Sequence, residues 1–127
     1  MEPAESTGHS LGPLETAVME SLWDSGALSP REAYDRVGKP RELAYTTILT
    51  ILQRLHGKGF VTRAEHGRTH RYSPLLSRKA FDDQEAQRLA ETLVRIGDGG
   101  VAAFLTEARR LDPSVIDALR KHLEGEQ

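Results

Sequence analysis

Cysteine is absent from the 127 residues. That excludes disulfides, thiolate metal sites and a cysteine nucleophile, and it suits a reducing cytosol. No long apolar run and no basic-then-apolar leader is present. A membrane span, a signal peptide and a transit peptide are therefore not expected, and a cytoplasmic protein is. Large apolar residues are also scarce. Leu, Ile, Val and Phe supply 29 residues, about 23% of the chain, just above the ~20% below which chains tend to stay disordered. A folded protein with a thin core is expected. If it divides into halves of roughly 60 residues, each buries only about 60% of its unfolded surface, and one half is expected to complete its core against a partner.

What is present is unevenly spread. Residues 1–30 carry five acids and no Lys or Arg, residues 31–74 nine bases and four acids, and residues 75–127 eight bases and ten acids. The net charge of −2 thus hides a basic middle third, and the placement of charge matters more than its total for an anionic partner.

Residues 1–10 mix Glu, Ser, Gly, Pro and Thr without period and read as a disordered tail. Pro13 opens a first helix, where its missing N–H costs nothing. Leu14, Val18 and Leu22 give its apolar stripe, with Ala17 and Trp23 on the flank, and Ser25-Gly26 stops it. Ser29-Pro30-Arg31-Glu32 has the capping-box pattern for a short second helix with Ala33 and Val37 inward, ended by Gly38-Lys39-Pro40. The spacing predicts a third helix from about Ala44 to Lys58, with Ala44, Ile48, Ile51, Leu52 and Leu55 on its core face. Residues 60–74 form two β-leaning runs joined by His66-Gly67-Arg68-Thr69, a hairpin pattern.

From Ser77 the helical period returns. Asp82, Asp83 and Glu85 are placed in its first turn, where the helix dipole favours anions. Gly97-Asp98-Gly99-Gly100 breaks this helix. Val101, Phe104, Leu105 and Ala108 mark a further helix, and Asp112-Pro113 caps a last one carrying Val115, Ile116, Leu119 and Leu123. The fold class is mainly α: a winged helix-turn-helix domain over residues 11–75, then a helical dimerisation domain over residues 76–127.

The third helix carries the chemistry. Its outer side offers Thr46, Thr50 and Gln53, with Thr47 and Arg54 at one edge and Tyr45 and Leu49 at the other. No charge occurs from Leu43 to Gln53, whereas a solvated helix would carry Glu and Lys there. Thr offers a hydroxyl to base edges and a methyl to thymine, and Gln can pair with adenine. Three Thr also lower helix propensity, so another demand keeps them. Arg54 and Lys58 at the helix end, Arg41 in the turn, and Arg63, Arg68 and Arg71 in the hairpin can reach phosphates, which fix register and give salt-dependent affinity.

Residues 14–23, 44–55, Lys58-Gly59-Phe60-Val61 and Arg68-Thr69-His70-Arg71-Tyr72 carry a resemblance. Here the chain resembles the penicillinase-repressor (BlaI/MecI/CopY) family of bacterial transcription repressors. The resemblance implies a homodimer on a palindromic double-stranded DNA operator, with Thr46, Thr47 and Thr50 on the recognition helix, Arg54 toward the backbone, and Arg68 and Arg71 in the wing. It implies three C-terminal helices that make the dimer. Phe81, Leu89, Leu93, Val101, Phe104, Leu105, Ile116 and Leu119 are the candidates for that interface. Leu49 stands where some relatives have a basic residue, and reads either as a thymine-methyl contact or as the rim of the core. Copper-sensing relatives carry a Cys-x-Cys pair that this chain lacks. In the β-lactam branch a membrane metallopeptidase sensor leads to cleavage in the C-terminal helices. The matching stretch is Ala103-Phe104, where the residues themselves read Phe104 as dimer core.

Two other classes compete with this one. His66 and His70 lie across a hairpin tip with no third ligand in view, and no phosphate-binding glycine loop or paired catalytic carboxylate is evident, so neither enzyme, metal nor cofactor is expected. A winged helix that binds protein instead of DNA is the alternative, because fold alone does not settle function.

Overall fold

A computed structural model describes residues 11–125. The tail expected over residues 1–10 lies outside the described residues. The chain forms a winged helix-turn-helix followed by long helices, and divides into two compact units, the first ending at Asp82.

In the first unit, helix α1 spans Pro13–Ser25, with Pro13 in its first position. Glu15 accepts a hydrogen bond from the Gly12 N–H at 3.0 Å, closing the N-terminal turn. Gly26 ends the helix at φ 90°, a conformation that suits glycine. Helix α2 spans Pro30–Ala33. Its capping box is formed as expected: the Glu32 N–H donates to Ser29 Oγ at 3.1 Å, and the Ser29 N–H donates to Glu32 Oε1 at 2.9 Å.

Instead of stopping at Gly38, the coil widens into a π turn over Tyr34–Gly38 and tightens into a 3-10 turn over Lys39–Arg41. At this turn the chain passes close to Ile48. A Cβ on Gly38 would lie 2.7 Å from Ile48 Cγ1 and 2.8 Å from Tyr34 Cδ1. Helix α3 spans Tyr45–Gly57 and buries Ile48, Ile51, Leu52 and Leu55. Ala44, expected on that core face, is instead the exposed, extended residue before the helix.

Strands β1 (Val61–His66) and β2 (Thr69–Pro74) pair antiparallel, with Val61 opposite Pro74 and His66 opposite Thr69. The wing is tethered at its base. The Leu28 N–H donates to the Tyr72 carbonyl at 2.9 Å, and the Tyr72 N–H donates to the Leu28 carbonyl at 2.8 Å. The core gathers Val18, Met19 and Leu22 from α1, Leu28, Ala33 and Val37, the four α3 residues, and Phe60, Val61 and Tyr72.

Phe81 also belongs to this core, which corrects its assignment to a dimer face. Its ring lies 5.4 Å from Trp23 and 5.6 Å from Phe60. Trp23 Nε1 donates to the Leu76 carbonyl at 2.9 Å, so residues 76–81 are held in the first unit.

Helix α4 spans Arg78–Leu111 but is interrupted at Gly97 (φ 74°, ψ −164°), the expected breaker. Its first turn carries no acid. Ser77 caps it instead, through Oγ to the Ala80 N–H at 3.1 Å, and Asp82, Asp83 and Glu85 fall further along. Helix α5 spans Pro113–Gly125, with Asp112 accepting from the Ser114 N–H at 3.0 Å.

No described residue of the second unit is buried. Leu93, Val101, Phe104, Leu105, Ile116 and Leu119 are half-buried, while Leu89, Val94, Ile96, Leu111, Val115 and Leu123 are exposed. No helix among the described residues is long and apolar enough to cross a membrane.

Candidate nucleic-acid interface

The two sides of α3 differ sharply. Ile48, Leu52 and Leu55 are fully buried and fix the helix on the core. Thr46, Thr50, Gln53 and Arg54 are exposed, and Thr47 and Leu49 half-buried. A side chain with no packing role and no charge fits a partner that offers hydrogen bonds and methyl groups. Tyr45 opens the helix at 38% exposure. Its ring meets Tyr34 edge-on at 5.9 Å, and the Arg31 guanidinium lies 5.7 Å from the Tyr34 ring. This ladder escaped the sequence reading, because α2 was read as a plain helix and the turn bringing Tyr34 to Tyr45 is not helical in the ordinary sense.

The cations fall into two groups. Arg54, Arg63 and Arg68 are exposed, and Arg68 follows Gly67 (φ 66°) at the tip of the wing. Others are engaged by the protein itself. Arg71 is half-buried; its Nη2 donates to the Ala27 carbonyl at 3.2 Å, and its Nη1 lies 3.4 Å from Glu32 Oε1. The Ser29 N–H, seconded by Arg71, holds the Glu32 carboxyl below its ordinary pKa. Arg41 Nη1 donates to the Val37 carbonyl at 3.0 Å.

Lys58 Nζ lies 3.0 Å from Glu15 Oε2 and 3.1 Å from Oε1. Glu15 is the buried charged residue of the core region, and it was not singled out from sequence. Its partner lies 43 residues away in sequence. The pair sits in the wall of an open groove of about 510 Å³ between the start of α1 and the Thr47, Thr50 and Arg54 side of α3.

The hairpin register keeps the two wing histidines apart. Glu65 faces His70 across the ladder and His66 faces Thr69. Adjacent cross-strand pairs point to opposite sides of the ribbon, so His66 and His70 do not converge on one ion. Among the described residues, no cluster of three or more His, Asp or Glu side chains is placed to hold a metal.

The model of the penicillinase repressor family matches residues 11–125. The transcriptional regulator BlaI of Mycobacterium tuberculosis is 36% identical over 116 residues, covering 89% of this chain and 82% of that protein. The solution structure of the DNA-binding domain of the repressor BlaI matches with a TM-score of 0.51 at 26% identity, over 54% of this chain and 84% of that one. The YusO protein of Bacillus subtilis matches with a TM-score of 0.51 at 21% identity, over 94% of this chain and 80% of that one, a likeness of fold alone.

Proposed function

The chain belongs to the penicillinase repressor family, and on that premise we propose that it represses transcription as a cytoplasmic homodimer bound to a palindromic operator. Each protomer inserts α3 into the major groove of one half-site. Thr46, Thr47, Thr50 and Gln53 meet base edges, and Tyr45 and Leu49 lie at the rim of the contact. Arg54 and the wing tip at Arg68 neutralise flanking phosphates. Lys58 and Arg71 are left out of the direct contacts, since Glu15, Glu32 and the Ala27 carbonyl already engage them.

The observation that carries this reading is the exposed, uncharged, hydroxyl-bearing side of α3, opposite a core side whose Ile48, Leu52 and Leu55 are fully buried. Dimerisation is supported by the second unit, where no described residue is buried. Its half-buried Leu93, Val101, Phe104, Leu105, Ile116 and Leu119 need a covering surface, and a two-fold copy supplies the same apolar set. Release from the operator is assigned to a signal-dependent step such as proteolysis in the C-terminal helices, with a membrane metallopeptidase sensor upstream.

Footprinting of purified protein on genomic fragments tests the reading. Protected palindromes, with half-sites about one helical turn apart and an affinity that falls steeply with salt, are the expected result. Binding to proteins but not to duplex DNA would overturn it in favour of an interaction module.

A further inference from the structure

We infer that Glu15 withholds the Lys58 ammonium from DNA and so sets the strength of phosphate binding. The inference rests on the DNA-binding reading above. Lys58 stands one helical turn after Arg54, in the same groove wall as Thr47 and Thr50. By position it should add a phosphate contact. Both Glu15 oxygens lie within 3.1 Å of its Nζ, and the Lys58 and Glu15 side chains retain only 20% and 10% of their exposure.

Glu15 does not swing aside easily. One of its oxygens also accepts the Gly12 N–H at 3.0 Å, and the carboxylate sits in the first turn of α1, where the helix dipole favours it. A phosphate approaching Lys58 must displace a closer anion that is anchored in two ways, and meets that anion's repulsion as it does so. The pair therefore offers DNA almost no net charge.

The consequence concerns affinity and its salt dependence. Phosphate neutralisation supplies essentially all of the sequence-independent affinity, whereas base contacts supply discrimination. Holding one cation back weakens binding to operator and random DNA alike while leaving the threonine contacts intact.

The test compares the full-length protein with Glu15→Gln and with Glu15→Gln/Lys58→Met, on operator and random duplexes across a salt series. The Gln amide keeps the shape and can still accept the Gly12 N–H, but it does not hold an ammonium as a carboxylate does. Glu15→Gln should steepen the log–log salt slope by about one and tighten random-duplex binding by roughly up to tenfold near 0.1 M salt. Operator binding should tighten to the same extent, leaving the ratio of operator to random affinity unchanged, and the double variant should return to the parental slope. A purely structural role for Glu15 would weaken binding instead.

An unchanged slope in Glu15→Gln, or a double variant as steep as the single one, overturns the inference and leaves the DNA-binding reading standing. A parental protein with no salt-dependent DNA binding overturns that reading itself. Should Glu15→Gln fail to fold, the side-chain ¹⁵N signal of Lys58 in the parental protein decides. It should stay in place when random duplex is added, and a shift on binding refutes the inference.

Discussion

Gly38→Ala is a small change with a large expected effect. Gly38 has ordinary helical angles, φ −77° and ψ −48°, so conformation alone would favour alanine by about 0.4–1 kcal/mol through the unfolded chain. Contact opposes this. The new methyl would lie 2.7 Å from Ile48 Cγ1 and 2.8 Å from Tyr34 Cδ1, closer than carbon atoms pack. Overpacking of this kind costs about 1–3 kcal/mol, and Ile48 is fully buried, with nowhere to retreat. The net loss should be about 0–2.6 kcal/mol, and the midpoint of unfolding of a domain this size should fall by roughly 4–8 °C per kcal/mol.

Ile48 sits on α3, so the strain should also tilt that helix, and if the proposed function holds, operator affinity should drop more than random-duplex affinity. Urea unfolding of Gly38→Ala in the parental and Ile48→Ala backgrounds isolates the contact. Ile48→Ala alone costs about 2–5 kcal/mol, but within that background Gly38→Ala should cost less than in the parental protein, since only the Tyr34 contact remains. Equal penalties in both backgrounds, or a stabilised single variant, would refute the close-crossing argument.

Three other expectations concern the proposed function. Thr50→Ala should reduce discrimination between operator and random duplex by about 1–3 kcal/mol for a good base contact, measured by competition binding; equal loss on both duplexes would remove Thr50 from base reading. Arg68→Ala should weaken all sequences alike and lower the salt slope by about one, and an unchanged slope would take the wing tip out of the interface. Leu93→Glu with Phe104→Glu should yield monomers that bind operator poorly, as followed by sedimentation; intact dimers would contradict the assigned face.

Much of the architecture could be read from local rules. Pro13, the Ser29–Glu32 box and the Ile48-Ile51-Leu52-Leu55 period each act within one or two turns, so the sequence carries them in plain view. The Thr46, Thr47 and Thr50 side of α3 was legible for the same reason: its lack of charge is a local property. The misreadings share a different cause. Phe81 stands in a helix whose period continues on both sides of the unit boundary, and period alone does not say which core a residue enters. Trp23 and Phe60, which claim it, are far away in sequence. Lys58 and Arg71 looked like available cations because Glu15, Glu32 and the Ala27 carbonyl meet them only after folding. Gly38 read as a stop signal, whereas its missing side chain makes room for a crossing helix.

The reciprocal bonds between Leu28 and Tyr72 give the ribbon a third, one-residue edge. A hairpin of two strands is marginal on its own in water; this one is stitched at its root to the connector between the first two helices. Its far end, at Gly67 and Arg68, bears no such stitch. Loop length can therefore change at the tip without loosening the packing of the helices at its root.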